Sequence, residues 1–300
     1  MSIARQVVPG STYLITRRTQ GRTFLLRPDR RVNKFYLYCL GVYAKRYGIR
    51  VHLVVLMSTH EHLIVTDPLG RLPDFLRDFH RAVALGIKII HKWDGEVWDG
   101  APTSCVTLCT PKAIIEKLAY VMANPVEAGL VQKAEDWPGI MVLPEQLGVK
   151  TWTIERPDIF FDSDNPQWPK QATLQLTMPK HYLSSDEVRS QVAVELTQLQ
   201  AQARARLQAE GRRVLGREGV LAVSPQARAK RWEATRSPNP TFAVGRGQKT
   251  ALFRAAAALR AFRHKYYEAL EQWRRKIRDV LFPKHTWQMS WLHRVQIEPG

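Results

Sequence analysis

Two short stretches of the 300-residue chain hold residue types able to do metal-assisted chemistry. In His60-Glu61-His62 the histidines stand two apart, so on an extended strand both imidazoles leave one face and Glu61 leaves the other. Two neutral imidazoles so placed can share a divalent cation, although the same spacing also suits half-buried histidines with satisfied hydrogen bonds. An open sheet face favours the metal reading, because it has room for a substrate and a third ligand. In Tyr120-Val121-Met122-Ala123-Asn124-Pro125, Tyr120 and Asn124 are four apart and share a helical face. A phenol there is a candidate nucleophile. Its ordinary pKa of about 10 means that a nearby cation or base must help to form phenolate, and a histidine-bound metal would serve. Asn124 would add a hard oxygen to that metal. The alternative is that Tyr120 is a core aromatic and Asn124 closes a helix before proline.

The elements that must position these residues follow from periodicity. Residues 13–19 read as a strand, and residues 29–47 carry Val32, Phe35, Tyr36, Cys39, Leu40 and Tyr43 at helical spacing before Gly48. Residues 51–57 are apolar and β-branched, Ser58-Thr59 turns the chain, and residues 60–66 continue as the second arm of a hairpin. A helix over 72–90 follows, with Pro73 in its first turn. Val97-Trp98 and residues 104–108 read as short strands, and Pro111 opens a helix expected to end near Ala123. Strand, helix, hairpin, helix, strand, helix is the order of an α+β, ferredoxin-like antiparallel sheet with helices on one face and the other open to chemistry.

Residues 1–143 therefore form one domain. Residues 144–183, rich in Pro and Trp, read as an irregular connector. Residues 184–300 read as a basic, mainly helical region. In it, Ser184-Ser185-Asp186-Glu187 starts a polar helix that Gly211 stops, and residues 224–248 form a basic loop. A long amphipathic helix then spans 250–280, with Leu252, Phe253, Leu259, Phe262, Tyr266, Leu270 and Trp273 on one side.

Charge is uneven along the chain. Lys and Arg number 45 against 27 Asp and Glu, and residues 201–300 hold 21 of the former and 7 of the latter. A surplus concentrated there attracts polyanions, and nucleic acid is the partner it suggests. Cys39, Cys105 and Cys109 are too few for a disulfide framework, which fits a reducing compartment, and Cys105/Cys109 is a weak zinc signal. No run approaches the roughly 18 apolar residues of a membrane span, and residues 1–10 lack the apolar centre of a signal peptide. A bacterial cytoplasmic protein without membrane partners is the expectation.

The stretch from Leu53 to Val65 around His60-Glu61-His62, followed by the stretch from Lys117 to Val131 around Tyr120 with its Asn124-Pro125-Val126-Glu127-Ala128-Gly129-Leu130-Val131 ending, closely resembles single-tyrosine HUH transposases of the IS200-like group. The resemblance is to the REP-associated tyrosine transposase type and covers about residues 10–143. It implies the HUH endonuclease fold and a DNA transposase that cuts and rejoins single-stranded DNA at hairpin-bearing elements. His60 and His62 would hold Mg²⁺ or Mn²⁺, Asn124 would be a third ligand, and Tyr120 would form a 5′-phosphotyrosine intermediate. Arg263, Arg274, Arg275 and Lys276 are candidate DNA-binding residues, with Tyr266 and Trp273 as possible stacking partners set against a role in the helix's own core. The long C-terminal region favours a monomer.

One departure stands out. The residue between the histidines is normally large and apolar because it points into the core, and here it is Glu61. A carboxylate there must lie at a rim, pair with an Arg, or orient a ligand imidazole as an outer-sphere carboxylate does. If it abolishes the chemistry, the chain is a domesticated, non-catalytic protein that binds hairpin DNA. His80 and His91, on or near the second helix, read as surface or packing residues.

Overall fold

The computed structural model describes residues 4–181, 183–230 and 240–299. The first half runs β1 (Ser11–Arg18), α1 (Arg30–Tyr47), β2 (Arg50–Leu56), β3 (His60–Asp67), α2 (Leu72–His91), β4 (Ser104–Leu108) and α3 (Pro111–Glu127). Helix α1 starts where Asp29 accepts hydrogen bonds from the backbone of Arg31 and Val32, and it stops at Gly48, whose φ of 67° is a conformation glycine adopts without strain. Thr110 caps α3 through Ala113 N–H, with Pro111 in the first turn.

The four strands pair in the order β2-β3-β1-β4, all antiparallel, which is the expected ferredoxin-like sheet. Glu61 on β3 meets Tyr36 of α1 and His80 of α2, so these two helices cover one face. The other face, expected to be open, is instead crossed by helix α3, where Asn124 meets His62. Gly86 of α2 lies against Phe35 of α1 so closely that a β-carbon there would fall 2.0 Å from the ring. This fixes the helix pair on the sheet.

The second half runs β5 (Thr151–Glu155), β6 (Gln171–Gln175), α4 (Ser185–Ala209), α5 (Gly216–Ala222), β7 (Phe242–Ala243), α6 (Lys249–Arg274), β8 (Leu281–Phe282), α7 (Gln288–His293) and β9 (Gln296–Ile297). The stretch 144–183 is more ordered than an irregular connector. It carries the antiparallel pair β5-β6, whose Ala172 and Leu174 lie against Gly41 of α1. Its aromatics cluster on the same helix, with Phe161 stacked on Phe35 at 5.2 Å and Tyr38 donating to Pro169 O at 2.6 Å. Helix α4 contributes Val188, Val192, Leu196 and Ala203 to the main core. A second, smaller core lies under the C-terminal half of α6, where Phe262, Tyr266 and Ala269 meet Ala4, Phe282 and Met289.

Four further expectations change. Val97-Trp98 makes no strand among the described residues: Trp98 forms a single bridge to Thr19 and covers α2, donating to His80 O at 2.8 Å. Helix α3 continues through Pro125 to Glu127, because Ala128 N–H reaches Asn124 O at 2.9 Å and both Pro125 and Val126 are buried. Helix α6 ends at Arg274, and of its expected apolar side Leu252 and Phe253 are exposed, Phe253 by 69%. Of the basic loop expected over 224–248, residues 231–239 lie outside the described residues, whereas Phe242–Ala243 adds a parallel strand beside β4 and Arg246 pairs with Glu116 at 3.1 Å.

Candidate functional site

The central strands β1 and β3 build the site. Their register sets Thr16 opposite His62 and Arg18 opposite His60, so all four side chains share the face that α3 crosses. The two imidazole rings stand 4.8 Å apart, centroid to centroid, and nearly perpendicular at 88°. Each has its Nδ1 beside a threonine hydroxyl: Thr59 Oγ1 lies 3.0 Å from His60 Nδ1, and Thr16 Oγ1 lies 2.9 Å from His62 Nδ1. When Nδ1–H donates to the hydroxyl, Nε2 carries the lone pair a metal needs.

Asn124 completes the group from above. Its Oδ1 lies 3.3 Å from His62 Nε2, while its Nδ2 donates to Tyr120 O at 3.0 Å. The second bond turns the amide so that oxygen, the better metal ligand, faces the imidazole. Tyr120, one helical turn earlier, is 43% exposed, and its ring centroid lies 6.3 Å from that of His62. The Lys117 ammonium stands over the same ring, 5.0 Å from its centroid.

Burial pushes the His60 imidazolium pKa down to about 4, with the Arg18 charge adding to the effect. His62 is pushed well below its ordinary value by burial and then by His60. Both imidazoles are thus neutral at pH 7, as ligands must be. Two neutral imidazoles and an amide oxygen are a donor set that fits a divalent cation. Among the described residues, no cluster of three or more His, Cys, Asp and Glu is placed to hold a metal, so the fit depends on Asn124 as third donor.

Glu61 lies neither at a rim nor beside a site imidazole. Strand alternation sends it through the sheet to the helix face, where it is fully buried. There it accepts hydrogen bonds from Tyr36 OH at 2.8 Å and from His80 Nε2 at 2.5 Å, and it contacts neither site imidazole. Arg17 lies opposite it in the register and adds a favourable charge. The carboxylate is therefore satisfied from α1 and α2, which is how a charged residue is tolerated in a core position. His80 is its partner under the sheet, and Tyr36 is held neutral by burial and by that carboxylate. His91 lies at the end of α2, donating to Leu25 O at 3.0 Å, away from the group.

The structure brings together His60, His62, Asn124 and Tyr120. The basic candidates do not join them: Arg263, Arg274, Arg275 and Lys276 belong to the helix and turn over the second core, and Arg275 pairs with Glu271 of its own helix. Tyr266 is packed in that core, so core packing rather than stacking on DNA is its role. Thr16, Thr59 and Arg18 were not singled out from sequence. Only the alternation of β1 hints at Thr16 and Arg18, and the β1-β3 register is needed to set them beside the histidines.

No family model matches the chain, and no curated protein matches it in sequence. Among solved structures it is similar to a REP-associated tyrosine transposase bound to a REP hairpin, with 20% identity over 46% of this chain and 81% of that one and a TM-score of 0.39. It is also similar to a putative transposase from Deinococcus radiodurans, with 19% identity over 41% of this chain and 97% of that one and a TM-score of 0.30.

Proposed function

We infer that the chain cuts and rejoins single-stranded DNA at hairpin-bearing elements, with Tyr120 as the nucleophile. The observation that supports this most is the meeting of His60, His62, Asn124 and Tyr120 on one sheet face, from two sequence motifs some sixty residues apart. His60, His62 and Asn124 would hold Mg²⁺ or Mn²⁺, which when bound draws charge from a non-bridging phosphate oxygen. Lys117 keeps its ammonium over the Tyr120 ring, 5.0 Å from the centroid, so a cation stands beside the nucleophile. The phenolate oxygen attacks phosphorus, forming a phosphotyrosine bond to the 5′ side as the bond to the 3′ oxygen breaks, and that oxygen takes a proton from solvent to leave as a 3′-OH. Attack of a 3′-OH on the phosphotyrosine reverses the step, so strands can be rejoined without ATP. Thr16 and Thr59 hold the imidazoles in orientation, and Arg18 adds positive charge next to the phosphate.

A binding-only protein was the alternative that Glu61 suggested. The pairing of Glu61 with Tyr36 and His80 beneath the sheet, away from both site imidazoles, supports the catalytic reading over it. The test is a labelled single-stranded hairpin from DNA flanking the gene, incubated with protein in Mn²⁺ or in EDTA and run on a denaturing gel. A slow, protease-sensitive band in Mn²⁺ alone supports the reading. A native complex with no covalent band in either condition overturns it in favour of binding only.

A further inference from the structure

The end of β1 and the turn after it carry a second cluster of charge. Arg18 stands beside His60, and the chain then turns through Gly21 and Arg22 at φ 56° and 55°. A non-glycine side chain in this left-handed region is strained, and such strain persists only where the surroundings hold it. They do here: Thr19 Oγ1 bonds Thr23 O at 2.6 Å and Thr59 O at 3.0 Å, and Thr23 Oγ1 bonds Gln20 O at 2.8 Å. None of these bonds uses the side chain of residue 22, and glycine there would adopt the same backbone without strain. The chain instead keeps a guanidinium at position 22.

The basic C-terminal region reaches the same place. Phe24 N–H bonds Ala227 O at 2.9 Å and Ala229 N–H bonds Arg22 O at 3.1 Å, which pairs residues 227–229 with 22–24. Between them, Arg228 lays its guanidinium along Gly21, so close that a β-carbon there would lie 3.4 Å from its Cζ. Beside this pair a small cavity is lined by Thr16, Arg17, Arg18, Arg22, Asp99 and Ser104. Thr16 also touches His62, so the cavity adjoins the site. Arg17 is held in its wall by Ala101 O and Thr103 Oγ1, both at 3.0 Å, and Asp99 accepts from Ala101 N–H at 2.8 Å. Three arginines and one carboxylate line it, and Arg228 lies across Gly21, next to Arg22 in the chain.

We propose that Arg18, Arg22 and Arg228 clamp a backbone phosphate of single-stranded DNA next to the phosphate presented to His60 and His62. The basic C-terminal region thus contributes to the cleavage site through Arg228 rather than through the end of α6. Guanidinium groups suit the task because each can offer two parallel N–H donors to a phosphate. The proposal rests on the reading of the protein as a single-strand-cleaving enzyme and deepens it.

The test uses the full chain, in EDTA, with the labelled hairpin strand carrying a neutral methylphosphonate at one linkage at a time. The variants are Arg18→Gln, Arg228→Gln and Arg22→Gly, the last removing the charge while relieving the strained backbone. For each arginine that contacts a phosphate, the salt slope of log affinity should fall by about 0.7. One or two linkages should lose several-fold affinity when neutralised in wild type but not in the triple variant. Wild-type slopes in all variants, with no linkage coupled to any arginine, would overturn the clamp while wild type still forms its metal-dependent covalent band. A wild-type chain that neither binds the strand nor forms the band overturns the functional reading, and the clamp with it.

Discussion

Replacing Glu61 by Ala should be far more damaging than a change at a neighbouring surface position. The substitution strands Tyr36 OH and His80 Nε2 in a core where Glu61 is their partner at 2.8 and 2.5 Å. Each stranded group costs about 1–3 kcal/mol, and the space left by the lost carboxylate and methylenes adds to that. The sum agrees with the loss of about 3–5 kcal/mol seen when one partner of a buried pair is removed. Against a total stability of about 5–15 kcal/mol, this is about a fifth or more of the margin. Urea unfolding followed by tryptophan fluorescence, in EDTA so that metal plays no part, measures it. The triple change Glu61→Leu, His80→Leu and Tyr36→Phe, which leaves no polar group behind, should recover most of the loss. If Glu61→Ala costs less than about 1 kcal/mol, the buried network does not hold β3 against α1 and α2, and the reasoning is wrong.

Three other perturbations have defined outcomes. His52, buried in the bulge of β2 with Nδ1 donating to Thr177 O at 2.7 Å, is pushed by burial down to about 4, so the folded protein keeps it neutral while the unfolded chain takes up a proton below about pH 6.5. Stability should therefore be fully present above pH 6.5 and fall by about 3 kcal/mol from this group as pH drops to 4, and His52→Gln should flatten that part of a pH-dependent denaturation series. Gly86→Ala, which drives a methyl into Phe35, should cost about 1–3 kcal/mol in the same urea assay; an unchanged midpoint would mean that the α1–α2 contact yields easily. Asn124→Ala should weaken Mn²⁺ binding by at least tenfold, as read by electron paramagnetic resonance, with little change in stability, and unchanged affinity would remove Asn124 from the ligand set.

Much of this was legible in the sequence because local pattern determined it. Alternation put His60 and His62 on one face, a four-residue spacing put Tyr120 with Asn124, and Gly48 and Thr110-Pro111 marked helix ends through their own backbone preferences. The order of elements was enough for the antiparallel sheet. What was hidden depended on contacts between distant segments. Glu61 looked like a defect because Tyr36 and His80, its partners from two helices, are invisible until those helices pack on one face. Thr16 and Arg18 have no local signature, and only the β1-β3 register sets them beside the histidines. Arg228 lies some two hundred residues from the turn it joins. The helix of α3 outlasted Pro125 because burial of Pro125 and Val126 outweighed one missing N–H.

The central claim is that Tyr120 is the atom donor to phosphorus, and locating the covalent bond tests it most directly. Wild-type protein would be reacted with the single-stranded hairpin in Mn²⁺, digested with nuclease and trypsin, and the nucleotide-bearing peptide sequenced by mass spectrometry. A single modified peptide is expected, residues 118–133, whose one tyrosine is Tyr120, and no adduct from Tyr120→Phe. An adduct on another residue, or a cleaved strand with a free 5′-phosphate and no protein attached, would contradict it.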